Sequence, residues 1–260
     1  MNYSTLLYDI RDRISFITLD RPEKLNALTQ TSWKEIRQAL KNGEKDTGVA
    51  IHLITGNGRA FCAGDDISIL TQVKTISDAE DLFLDCIYGL VDTMIHLQKP
   101  VISAVNGFAY GGGCEIVLLS DLAIASEKAT FALPECRIGA FPAIFSVFGP
   151  AALGVKVSYE LTLLGEPISA RRAFEIGLVN RVAPHQECTA DAVRMAQQLM
   201  ASSPMSLKIT KETSSKILGE RLPDFWIACQ RFAKEVSRTQ DFSEGATAFV
   251  EKRPPLFVGH

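Results

Sequence analysis

Three consecutive glycines, Gly111-Gly112-Gly113, stand between an apolar strand-like run, Val101 to Val105, and an apolar helix-like run, Cys114 to Leu119. A turn without Cβ atoms adopts positive φ at little cost and lets another group approach its backbone amides. The amides that open the following helix carry partial positive charge, which suits an oxygen that becomes negative. A tight strand-to-helix connection with no ligand uses the same residues, and the glycine cluster alone does not separate the two readings.

Patterning on either side extends the order strand, turn, helix. Leu6 to Ile10 and Ile14 to Leu19 read as a hairpin about the charged turn Arg11-Asp12-Arg13. Thr29 is placed to cap a helix running through Lys41, with Trp33, Ile36 and Leu40 at helical spacing. Val49 to Thr55 reads as a buried strand. A single long helix is expected from Ser77 to Leu97, stopped by Lys99-Pro100, and a last strand-like run covers Gly177 to Val182. From His185 onward nearly everything is helical: Thr189 to Ala201, Ser206 to Leu218, Asp224 to Arg238 and Phe242 to Glu251. The expected organisation is a strand-rich part, 1–184, and a helical region, 185–260. No repeat of fixed period appears.

Composition narrows the function classes. With 47% hydrophobic and 22% charged residues the chain resembles an ordinary globular protein with a full core. A net charge of -3 gives no electrostatic reason to expect nucleic acid. The six cysteines are dispersed without a C-x-x-C pair, and no apolar signal segment precedes the first strand, so a reducing, cytoplasmic setting is expected. No stretch reaches the roughly 20 uncharged apolar residues of a membrane span. The four histidines lack ligand spacing, and neither a metal nor a separate cofactor is expected.

Glu115 lies in the first turn of the helix behind the glycines. A carboxylate there complements the helix dipole. Its surroundings are also glycine backbone and apolar side chains, a setting that raises a carboxyl pKa toward acid-base use. Glu135, in the proline-fixed loop Leu133-Pro134-Glu135-Cys136, reads by itself as a solvated loop charge.

Several segments, taken in order and spacing, resemble the crotonase (enoyl-CoA hydratase/isomerase) family. They are Arg21-Pro22-Glu23-Lys24-Leu25-Asn26-Ala27, then Phe61-Cys62-Ala63-Gly64-Asp65-Asp66-Ile67, then Lys99-Pro100-Val101-Ile102-Ser103-Ala104-Val105-Asn106-Gly107. Gly111-Gly112-Gly113-Cys114-Glu115, Phe131-Ala132-Leu133-Pro134-Glu135, Gly177-Leu178-Val179 and Phe249-Val250-Glu251-Lys252-Arg253-Pro254 complete the likeness over nearly the whole chain.

The resemblance implies an α/β fold, a crotonase-like spiral of β-β-α units followed by a helical C-terminal trimerisation region, as a homotrimer or a hexamer built from two. It implies an acyl-CoA thioester as substrate, with coenzyme A belonging to that substrate. The expected reaction is reversible syn hydration of a 2-enoyl-CoA, with Glu115 and Glu135 as the acid-base pair. The oxyanion hole is expected from the backbone amides of Asp65 and Gly112, the Asp65 side chain facing outward. Contacts to substrate or its CoA are expected from Lys24, Leu25, Ala27, Ala63, Asp66, Ile67, Gly111, Pro134, Ala143, Phe249 and Lys252. Asp66 is also expected to cap a short helix over Ile67 to Leu70. Cys62 and Cys114 are expected to be small packing residues.

One segment departs from the family's pattern. After the second glutamate the usual Pro-Gly-x-Gly-Gly gives way to Gly139-Ala140-Phe141-Pro142-Ala143-Ile144-Phe145-Ser146. Larger side chains predict a reshaped or narrower acyl pocket. The pattern Pro142-Ala143-x-x-Ser146 looks like that of hydratases for branched or acidic acyl groups, such as the methylglutaconyl type. Three readings stay open: a hydratase, an isomerase that moves a double bond with one carboxylate, and a CoA-binding protein without turnover whose pocket Ile144 or Phe145 blocks.

Overall fold

The turn at Asp12 and Arg13 takes positive φ at both residues, 49° and 65°, the backbone that matches the twist of a two-residue hairpin. It joins β1 (Leu6–Arg11) to β2 (Ile14–Leu19) as an antiparallel pair. The structure is a computed structural model and describes residues 3–260 except 72 and 74.

The chain then climbs through repeated strand pairs and helices: α1 (Gln30–Lys45), β3 (Ile51–Gly56), β4 (Ala60–Cys62), α2 (Ile67–Leu70), α3 (Ile76–Glu80) and α4 (Gly89–His96). The next turn holds β5 (Val101–Val105), β6 (Phe108–Tyr110), α5 (Gly112–Leu119), β7 (Leu122–Ser126) and β8 (Thr130–Ala132). α6 (Ala143–Leu153), α7 (Val155–Leu164), β9 (Ile168–Ser169), α8 (Ala170–Glu175) and β10 (Arg181–Ala183) follow. Five helices finish the chain: α9 (Cys188–Met200), α10 (Pro204–Ser214), α11 (Lys216–Gly219), α12 (Leu222–Lys234) and α13 (Gln240–Glu251).

Two sheets stack along the spiral. The larger has the order β1-β2-β3-β5-β7-β10, parallel except for β1 with β2; the smaller has the order β4-β6-β8-β9. β5 is apolar apart from Ser103 because it is buried along its whole length, as a parallel strand covered on both faces must be.

Thr29 caps α1 with Ser32 in a reciprocal pair, as its position predicts. The long helix expected over Ser77 to Leu97 differs. Between α3 and α4 the stretch Asp81–Tyr88 widens to π-helical hydrogen bonding. Arg37 fits against this bulge: its Nη1 donates to the Asp85 carbonyl at 2.8 Å, and it fills the side of Gly89 where any Cβ would collide with it. The shifted register buries Phe83 and Ile87 as well as Leu82 and Cys86. The expected strand over Gly177 to Val182 shortens to β10, because Gly177 turns at φ 80° and α8 ends just before it.

The helices after residue 185 pack in two directions. α9 lays Cys188, Ala192, Met195 and Ala196 on one face of the larger sheet. α12 sends Phe225, Cys229 and Phe232 into the main core. Between them, α10 leaves Met205 and Ile209 exposed, and Ile217 of α11 and Ile227 of α12 are exposed as well. No described helix is long and apolar enough to cross a membrane.

Candidate active site

The smaller sheet delivers the site. β4, β6 and β8 run parallel, and the chain leaving each at the same end carries a part of the cleft: Ala63-Gly64-Asp65, Gly111-Gly112-Gly113 and Pro134-Glu135. Each glycine is needed for a different reason. Gly111 takes φ 50°, ψ -128°, a region glycine occupies freely, and a Cβ on it would stand 3.1 Å from Oε1 of Glu135. A Cβ on Gly112 would stand 2.8 Å from Cζ2 of Trp33, and one on Gly113 would stand 2.6 Å from the Cys62 carbonyl oxygen. The triplet lets the start of α5 lie directly on β4 and α1.

The loop Arg21 to Leu28 fixes the other wall. Leu25 and Asn26 take left-handed φ values of 52° and 56°, and the buried Asn26 side chain donates to the Asn57 and Ala60 carbonyls at 2.9 Å. Leu28 N–H donates to Gly64 O at 2.8 Å, and Asp66 N–H donates to Leu28 O at 2.9 Å. In an extended segment successive N–H groups point to opposite edges, so the Asp65 N–H turns from Leu28 toward the cleft. At the start of α5 the Gly112 N–H has no acceptor within its own helix. Asp65 thus lines the cleft with a backbone donor, while Gly112, the residue after the cleft-lining Gly111, is buried behind the wall and is not itself a lining residue.

The Asp65 side chain does not face outward. Its Oδ1 accepts a hydrogen bond from Trp33 Nε1 at 2.7 Å inside the protein, because the buried indole N–H requires a partner and Asp65 is the nearby acceptor. Burial pushes its carboxyl up to about 6, and Asp66 adds to the rise while Trp33 opposes it.

Glu115 projects from the first turn of α5 and is buried, with Oε1 accepting from the Phe145 N–H at 3.0 Å. Desolvation pushes it up to about 8; the amides of Phe145 and Ile144 pull it down, and the Asp65 charge raises it. Glu135 begins a short 3-10 turn, Glu135–Ile138, after Pro134. Its Oε2 is buried with no partner among the described residues. Burial raises its pKa well above the ordinary carboxylate range, and the Glu115 charge raises it further. A glutamate that reads in isolation as a solvated loop charge is therefore a desolvated carboxyl beside another.

The cleft encloses about 80 Å³. Ala63, Asp65, Ile67, Gly111, Glu115, Pro134, Glu135 and Ala143, all among the residues that the family resemblance singles out, line it. The remaining wall is apolar, from Phe83, Ile87, Ile138, Phe141, Ile144 and Phe232. Ile144 borders the cavity without filling it, and Phe145 turns into the core, where its ring fills the side of Gly149. Phe83 and Phe232 stack with ring centroids 3.8 Å apart, and Phe232 comes from the helical region expected as an appendage. Local spacing gives no signal for these two, since Phe83 meets Phe232 only through the fold.

The other expected contacts lie outside this enclosed cleft. Leu25 supports it from behind, its carbonyl accepting from Ala63 N–H at 3.0 Å, and the Ala27 carbonyl accepts from Arg21 at 2.6 Å. Asp66 caps α2 through Ser68 and pairs with Arg21 at 3.2 Å. Lys24 and Lys252 are exposed, Lys252 ending α13 at φ 56°. Phe249 is also exposed rather than packed in the core. Cys62 and Cys114 are buried, with thiols pushed up to about 12 and well above the ordinary range by desolvation, as packing residues rather than nucleophiles.

Fold and site together define a β-β-α spiral protein that sets two buried carboxyls in an apolar cleft beside a glycine turn. The family described as enoyl-CoA hydratase/isomerase matches residues 9–260. The probable enoyl-CoA hydratase, mitochondrial, of Dictyostelium discoideum is 34% identical over 98% of this chain and 91% of that protein. The putative enoyl-CoA hydratase of Thermus thermophilus is 35% identical over 95% and 98%. Among solved structures, an enoyl-CoA hydratase/isomerase from Xanthobacter autotrophicus superposes with a TM-score of 0.87 at 32% identity, covering 98% of this chain and all of that one. A carnitinyl-CoA hydratase from Mycobacterium avium superposes with a TM-score of 0.85 at 31% identity, covering 98% and 99%. The chain belongs to the enoyl-CoA hydratase/isomerase family.

Proposed function

We propose that the protein is an enoyl-CoA hydratase that reversibly adds water across the double bond of a 2-enoyl-CoA thioester. The observation that carries this reading is the placement of Glu115 and Glu135 in the wall of one largely apolar cleft. Burial raises both carboxyls and the Glu115 charge raises Glu135 further, so the two hold protons unequally and one serves as base while the other serves as acid. The thioester oxygen accepts from the Asp65 and Gly112 amides, which bind the enolate more tightly than the starting carbonyl because charge grows there. The base takes a proton from water as its oxygen attacks C3. The acid delivers a proton to C2, which leaves the pair's one proton on the former base; its return to the former acid as the product leaves restores the starting state. With both carboxyls acting on one face of the bound double bond, the hydroxyl and the proton arrive on that face and the addition is syn.

Coenzyme A enters as part of the substrate. Lys24 and Lys252 are assigned to its phosphates as point charges, and Phe249 to its pantetheine or adenine. The exposed apolar residues Met205, Ile209, Ile217 and Ile227 fit burial against further copies of the chain, as a homotrimer or a hexamer, which light scattering after size exclusion checks. A reducing, cytoplasmic setting is consistent with six free cysteines.

Hydration of crotonyl-CoA and of branched 2-enoyl-CoAs, followed by loss of enoyl absorbance, tests the reading, with 3-enoyl-CoA supplied in parallel. Turnover of the 2-enoyl substrates that collapses in both Glu115→Gln and Glu135→Gln supports the hydratase. Conversion of 3-enoyl-CoA alone, or indifference to Glu135→Gln, would replace it with an isomerase.

A further inference from the structure

One edge of one indole touches both Asp65 and Gly112, the residues whose amides are assigned to the thioester oxygen. Trp33 is 1% exposed at the base of α1. Its Nε1–H donates to Asp65 Oδ1 at 2.7 Å, and the adjoining ring atoms Cζ2 and Cη2 lie so close to Gly112 that a Cβ there would stand 2.8 and 3.1 Å from them. Asp65 is a carboxylate placed where the neighbouring N–H must stabilise a negative oxygen. An unrestrained carboxylate at that point would oppose the enolate in a low-dielectric cleft, where like charges interact strongly. It already raises both Glu115 and Glu135.

We propose that Trp33 is a positioning residue for the thioester-binding amides: its N–H holds the Asp65 carboxyl aside from the developing oxyanion, and its ring fixes the depth at which the Gly112 N–H is presented. The proposal rests on the assignment of those two amides to the thioester oxygen and adds to it a residue from outside the cleft. Trp33 acts through Asp65 and Gly112 and does not touch the substrate.

The test separates charge from packing. Trp33→Phe keeps a ring against Gly112 and deletes the N–H, so the released carboxylate lowers kcat about 10-fold or more while KM changes less, since small displacements of a preorganised site cost rate first. Adding Asp65→Ala to Trp33→Phe removes the charge and recovers most of the lost kcat. A purely structural role for Trp33 predicts a double variant no faster than Trp33→Phe, and that result overturns the proposal. If Trp33→Phe does not fold, Asp65→Glu and Asp65→Gln are compared: each displaces the group from Trp33 by one methylene, and only the charged one suffers the larger kcat loss. Equal losses overturn the proposal.

Binding of acetoacetyl-CoA, read by its enolate absorbance, gives a second readout that needs no hydration. Enolate formation in wild type without crotonyl-CoA turnover would sink the hydratase reading and still test Trp33, whose Phe variant must form less enolate. No enolate in the wild type would sink the proposal itself.

Discussion

The backbone N–H of Phe145, in the first turn of α6, donates to Oε1 of Glu115 at 3.0 Å. The segment that departs most from the family's pattern therefore grips one of the two glutamates by its main chain, which any side chain provides. Glutamine keeps a carbonyl oxygen that accepts the same bond, so Glu115→Gln preserves geometry and removes proton transfer. A kcat loss of about 10²-fold to 10⁴-fold with little change in KM is expected, and steady-state kinetics on crotonyl-CoA check it. A loss confined to KM would place Glu115 in binding instead.

Glutamine at either position also changes stability with pH. A carboxyl raised in the folded chain holds its proton more tightly there than when unfolded. The favourable contribution is complete below the ordinary value of 4.5 and disappears as pH rises toward about 8 for Glu115. The Glu115→Gln variant, having no proton to lose, gains on wild type across that window and stays level above it. Denaturant unfolding at pH 5 and pH 8.5 is expected to show the variant's advantage growing by about 1–3 kcal/mol. An advantage of the same size at both pH values would mean that desolvation of the carboxylate is not the cause.

Glycine substitutions separate strain from contact. Gly177 has φ 80° with nothing within 4 Å of an added Cβ, so Gly177→Ala reports backbone strain, about 1 kcal/mol. Gly113→Ala drives its Cβ to 2.6 Å from the Cys62 carbonyl and is expected to cost about 1–3 kcal/mol. Gly111→Ala combines left-handed φ with a Cβ 3.1 Å from Glu135 Oε1 and is expected to lower kcat as well. Melting temperatures alongside kcat check the order; full activity in Gly111→Ala would contradict the tight fit at Glu135.

The stacked rings of Phe83 and Phe232 close the apolar wall. Phe232→Leu shortens that wall, so 2-hexenoyl-CoA is expected to gain several-fold in kcat/KM relative to crotonyl-CoA, at a stability cost of about 1–3 kcal/mol. Competition between the two thioesters measures the ratio. An unchanged ratio would mean that the acyl chain leaves the cleft by another route.

Much of the site was legible in local sequence. The glycine triplet, the Pro134 turn and the Asp66 cap each depend on a few neighbouring residues, and their structures follow the expectation. Glu115 carried its signal in the glycines and apolar residues beside it. Glu135 did not, because the burial that raises it and the Glu115 charge that raises it further come from residues outside its own loop. The helix expected over Ser77 to Leu97 broke at a π-helical stretch where Arg37, from α1, meets the Asp85 carbonyl. No window of residues 77–97 contains that partner.

The sequence by itself determined the family and the glycine turn and, through the family likeness, singled out Glu115 and Glu135, since these rest on residue identity and on φ preferences that act over a few bonds. Only the tertiary structure decided that Asp65 turns to Trp33, that Phe145 lends its amide to Glu115, and that Phe232 returns from the C-terminal helices to stack on Phe83. Hydrogen bonds, desolvation and ring packing act over a few ångströms, and these partners are 32, 30 and about 150 residues apart in the chain, brought within that range only by the winding of the two sheets.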